Sequence, residues 1–169
     1  SKIFDHEGVV VSSEGTFIQG IIGIGGEKKG DLKVVVDSVS QSADISVLNE
    51  KMKNSIIVTG TYIDYQFYKK AMEVGINGII CGAVDYNTLS KILGYSLGVA
   101  ITGTENTTTL IVTEGFGNIV MAQKTFDLLN QNNNKPVSIN GATQIRAGVL
   151  RPEIFIESLG DNTNSSFNE

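Results

Sequence analysis

The chain has 169 residues and a net charge of −5; 41% of it is hydrophobic, 18% charged, and it carries 19 glycines. Its 13 lysines and arginines are scattered apart from Lys28–Lys29 and Lys69–Lys70, so there is no basic stripe and no nucleic-acid partner is expected. One cysteine, Cys81, and one histidine, His6, leave no internal disulfide and no zinc framework, so neither a metal site nor a cofactor is expected.

Residues 8–39 read as β. Gly8–Ser12 is a short apolar run, Thr16–Ile24 alternates around Gly20 and Gly23, and Leu32–Val36 is β-branched. Gly25–Gly30 between the last two predicts a hairpin with an irregular loop. The run from Gly20 to Gly26 is not a dinucleotide loop, because a charged turn and a strand follow it where that fingerprint needs a helix. Asp44–Met52 reads as a short helix with Asp44 as N-cap.

The strongest unit follows. Ser55–Thr59 reads as a strand, Asp64 caps a helix through Val74, Gly75 stands at its C′ position, and Ile76–Cys81 is the next strand. This is a βαβ crossover. Asp85 then caps a helix over Tyr86–Leu93 that Gly94 stops. Val99–Thr102 and Thr107–Thr113 read as strands, Asn118 as the cap of a helix over Ile119–Asn130, and Pro136–Asn140 and Val149–Glu157 as strands around Gly141–Gly148. The expected class is α/β: a mixed, largely parallel sheet with flanking helices plus an N-terminal antiparallel β layer. Residues 1–40 form that layer, 41–157 the α/β core of the same domain, and 158–169 a mobile tail without apolar periodicity. The expected core includes Ile57, Val58, Ala71, Met72, Ile79, Ile80, Leu89, Ile92, Ile111, Leu128 and Ile139.

Five apolar runs end alike, in Thr, Cys or Asn followed nearby by glycine: those closing at Thr59–Thr61, Cys81–Asp85, Thr102–Glu105, Thr113–Asn118 and Asn140–Thr143. In an open α/β sheet the carboxyl ends of parallel strands share one edge, and ligands sit there. The candidate ligand-binding residues are therefore Thr59, Thr61, Gly82, Asp85, Thr102, Glu114, Gly115, Gly117, Asn118 and Arg146. Glu114–Asn118 reads either as a backbone cradle for an anion or as a tight turn capped by Asn118. Arg146 and Arg151, the chain's two arginines, offer planar forks for carboxylate or phosphate. A bulge at Gly148 would bring them to one face; otherwise they pair with Glu153 or Glu157, or with a second subunit. No residue is expected to be catalytic: no G-x-S-x-G elbow occurs, and Cys81 lacks a histidine base.

The segment Lys53–Val84 resembles the core of protease-associated domains, in the strand Ile56–Val58, then Ala71, Glu73 and Gly75, then Gly78–Ile79–Ile80. That resemblance implies the wider group of swivelling β/β/α domains, which includes the phosphohistidine domains of phosphoenolpyruvate-using enzymes and a domain of aconitases. The chain departs from the phosphohistidine domains because its α/β part has no histidine. It also resembles an uncharacterised prokaryotic family through Val34–Ser38, Thr113–Gly117, Ser138–Gly148 and Arg151–Ile154, a resemblance that implies no activity.

These readings lead to a non-catalytic binding or interaction domain that takes a small ligand or a protein partner at the Gly/Thr edge. One alternative is an enzyme or sensor for a small anionic ligand at that edge. Another is a structural subunit of a homo-oligomer. No apolar run approaches the length of a membrane span and no signal peptide is visible, so a cytoplasmic protein without membrane association is expected.

Overall fold

The computed structural model describes residues 4–6, 8–12, 14–102, 107–146 and 149–157. The expected tail over 158–169 lies outside them. Ten strands form one mixed sheet: β1 Phe4–His6, β2 Val9–Ser12, β3 Gly15–Gln19, β4 Ile22–Ile24, β5 Glu27–Val34, β6 Ile56–Val58, β7 Gly78–Val84, β8 Thr109–Phe116, β9 Pro136–Arg146 and β10 Val149–Glu157. Three helices flank it: α1 Tyr65–Val74, α2 Tyr86–Thr102 and α3 Gln123–Gln131. The strand order is β1-β2-β3-β10-β9-β5-β6-β7-β8-β4. β5 through β8 pair in parallel, and the remaining ladders are antiparallel.

The βαβ unit forms as its residues dictate. Every residue of β6 and β7 is buried. That suits parallel strands covered on both faces, which read as continuous apolar runs. Ile56 lies opposite Gly78 and Val58 opposite Ile80. Between them, the Asp64 carboxylate accepts the Phe67 N–H at 2.9 Å and starts α1. Gly75 ends it at φ 95°, in the left-handed region that a Cβ disfavours. Phe67, Tyr68 and Ala71 form the inner face.

Alternate residues of the parallel strands face two core clusters. Ile57, Ile79, Cys81, Leu110 and Val112 pack with Phe67, Tyr68, Ala71, Leu89 and Ile92 under α1 and α2. Ile56, Val58, Ile80 and Ile111 pack on the other side with Val9, Ile18, Val137, Ile139, Ile154 and Ile156 of the antiparallel strands, and with Phe126 and Leu129 of α3. The parallel strands thus lie between α1 and α2 on one side and the antiparallel strands with α3 on the other. All the expected core residues are buried except Met72 and Leu128, which are partly buried against the clusters.

Several elements differ from their sequence readings. Residues Val99–Thr102 are helical, because α2 runs through Gly94. A glycine inside a helix costs only about 1 kcal/mol relative to alanine, and a short apolar run fits helix or strand equally. Residues 44–52 form two 3-10 turns, Ile45–Val47 and Glu50–Met52, the first capped by Asp44 as expected. Gly25–Gly30 is not a hairpin loop, since β4 pairs with β8 while β5 pairs with β6 and β9.

Gly23 of β4 and the glycines near it serve close backbone approach. The Gly20 N–H donates to the Pro152 carbonyl at 3.0 Å, and the Gly141 N–H to the Gly26 carbonyl at 3.4 Å. A Cβ on Gly23 would collide with the Gly141 carbonyl. β4 is thereby held against β9 and β10 as well as β8.

Candidate functional site at the carboxyl edge of the parallel strands

The ends of β6, β7 and β8 meet as the sequence suggested, but their own backbone closes the edge. A bulge lies between Cys81 and Ala83. There the Thr61 carbonyl accepts both the Gly82 N–H at 2.8 Å and the Ala83 N–H at 3.2 Å. The Gly60 and Thr61 N–H groups both donate to the Gln41 carbonyl at 3.1 Å, and the Gly117 N–H donates to the Val84 carbonyl at 3.0 Å. The donors that could have held an anion at Gly60, Gly82 and Gly117 are therefore already bonded.

The linker over residues 117–122 lies across this edge. Its Met121 N–H donates to the Gly60 carbonyl at 2.8 Å, and Met121 is fully buried. A Cβ on Gly82 would sit 2.8 Å from the Met121 nitrogen and 3.0 Å from the Ile119 carbonyl oxygen. Gly82 is thus required so that the linker can descend onto β7.

The other candidates fall as follows. Thr59 is buried, and its hydroxyl accepts the Ala43 N–H at 2.9 Å. Thr61 is buried beside it. Asp85 is exposed and caps α2 by accepting the Thr88 N–H at 2.6 Å; this bond holds its carboxyl below the ordinary range. Thr102 does not reach the edge as a strand end, because it closes α2. Gly115 lies within β8 rather than in a turn, at φ 142°, with open space where a side chain would be. Gly117 has φ 103° and similar space.

Asn118 does not cap α3. That helix begins at Gln123 after Ala122, with no side-chain cap of its own. A carboxylate from another element takes the role: Glu114 of β8 accepts the Ala122 N–H at 2.9 Å and the Thr113 hydroxyl at 3.1 Å. A negative group suits a helix amino end. Sequence spacing could not reveal this cap, since the two residues are eight positions apart on different elements.

The arginines part company. Arg146 ends β9 opposite Val149, whereas Arg151 lies on β10 opposite Gln144. They belong to two strands of one hairpin, not to one bulged strand. Residues 147–148 lie outside the described residues.

Sequence reasoning missed what the edge shows to solvent. Of the nine exposed large hydrophobic side chains among the described residues, five gather here: Tyr62, Tyr86, Phe116, Ile119 and Val120. Tyr62 bridges to Ala83, Phe116 lies opposite Val84, and the Tyr86 and Phe116 rings are 5.8 Å apart. Tyr86 is 72% exposed.

Cys81 is buried, and burial pushes its thiol up to about 12, so it is no nucleophile near neutral pH. Among the described residues no group of three or more His, Cys, Asp or Glu could hold a metal ion. No described helix is long and apolar enough to cross a membrane.

No family model matches the chain, and neither curated proteins nor solved structures provide a match.

Proposed function

We propose that the chain is a non-catalytic interaction domain whose partner is a protein that docks on the aromatic and aliphatic crown of the carboxyl edge. The observation that carries this reading is the clustering of Tyr62, Tyr86, Phe116, Ile119 and Val120 over an edge whose backbone donors are bonded internally. Contiguous exposed apolar surface marks interaction sites, and aromatic residues contribute most to such interfaces. A ligand crevice would need free donors and space, and the linker over residues 117–122 occupies that space. The reading also places the chain among swivelling β/β/α domains, supported by the helix, parallel-strand and antiparallel-strand layers and by the resemblance over Lys53–Val84.

The test uses the purified chain as bait in an extract of its source cells, beside the Phe116→Asp, Ile119→Asp double variant. Both side chains are about half exposed, so the variant should keep the wild-type unfolding midpoint. A protein retained by the wild type and lost from the variant is expected. Equal retention by both would contradict the reading. If light scattering shows a dimer that the variant abolishes, the partner is a second copy.

A further inference from the structure

A cavity of about 380 Å³ opens beside the edge. Gly8, Gln19 and Ile21 line it from the N-terminal strands, Thr113 and Glu114 from β8, Ala122 and Thr125 from the start of α3, and Arg151 from β10. Four separate parts of the chain thus converge on it, and its polar groups are of opposite charge.

Three features mark it as a built site. Glu114 is fixed through one carboxylate oxygen by the Ala122 N–H and the Thr113 hydroxyl, which leaves its other oxygen to accept. Arg151 is exposed and forms no ion pair with another described residue, so Arg151 and Glu114, of opposite charge, both line the cavity without pairing with each other. Thr125 is only 3% exposed, yet its hydroxyl has no hydrogen-bond partner among the described residues. A buried hydroxyl without a partner costs free energy, and a bound polar group would satisfy it.

We propose that this cavity binds a small zwitterion of the α-amino-acid class. The ligand carboxylate lies on the Arg151 guanidinium, which suits it bidentately, and within reach of the Thr125 hydroxyl. Its ammonium lies on the free Glu114 oxygen. A simple anion would leave Glu114 unpaired and repelling, and a simple cation would do the same with Arg151. Only a ligand carrying both charges matches both walls.

The experiment titrates the purified chain with each common α-amino acid, and with the N-acetyl and amide derivatives of any that bind, by calorimetry and thermal shift. At least one amino acid is expected to bind saturably in the millimolar range or tighter. Its N-acetyl and amide forms, each lacking one charge, should bind at least about tenfold more weakly. Arg151→Gln, at an exposed position, should weaken binding similarly while keeping the fold. Thr125→Val should weaken it less. Lys51→Ala, at an exposed position outside the cavity, should leave it unchanged. The proposal is overturned if no amino acid binds the wild type, if binding survives Arg151→Gln, or if acetate or phosphate binds as tightly as the amino acid.

Discussion

Cys81 shows how residue-level environment decides chemistry. Its side chain is buried in β7, and the thiol donates to the Ala83 carbonyl at 3.5 Å. Burial raises its pKa from 9.0 to about 12. The folded state therefore holds the proton more tightly than the unfolded state does. The stabilisation from this group is complete below about pH 9 and is lost as pH rises from there to about 12. At about pH 8 a water-soluble disulfide reagent should label Cys81 only as fast as the chain unfolds, and urea should release the full thiol signal. Rapid stoichiometric labelling of the native chain would show that the side chain is accessible.

At the scale of elements, the helix starts differ in what holds them. Asp64 is a side-chain cap read correctly from its place before a periodic apolar face, and Asp64→Ala should destabilise the fold by about 1 kcal/mol in urea unfolding. Asn118 occupies an equally plausible sequence position but caps nothing, so Asn118→Ala should leave the urea midpoint where it is. Equal losses from the two substitutions would contradict this assignment. The βαβ unit was legible because its signals are local: two continuous apolar runs, a cap, a helical face and a C-terminal glycine. α2 was misread because Gly94 resembles a helix stop in sequence, while the helix continues without a left-handed residue there. The partners of β4 were invisible because Gly23 and Gly141 matter through backbone approach between segments far apart in the chain. The Gly/Thr endings of β6, β7 and β8 lie at the carboxyl edge of the parallel strands, as read. They could not reveal that the linker over residues 117–122 covers it, since Gly82 leaves room for chain and for ligand alike.

At the scale of the whole molecule, the antiparallel and parallel strands share one core. Ile18 is 1% exposed and packs in the same cluster as Ile56, Val58, Ile80 and Ile111. Ile18→Ala should therefore cost about 2–5 kcal/mol and shift the entire unfolding transition. Far-ultraviolet dichroism and tyrosine fluorescence should move together, as in a two-state domain. A biphasic curve would mean that the N-terminal strands unfold separately. The same packing underlies the carboxyl edge, with the linker over residues 117–122 pinned at Met121 and Ala122 and the Ile119 and Val120 side chains turned outward. The most direct measurement of that outward role is a photocrosslinking scan in source-cell extract. A benzoylphenylalanine would replace Phe116 or Val120 at this edge, and Asp31 or Lys51, both exposed, at the opposite end of the strands. The account predicts one crosslinked protein species from positions 116 and 120 that is absent from 31 and 51. Adducts of equal yield at all four positions, or from 31 and 51 alone, would contradict it.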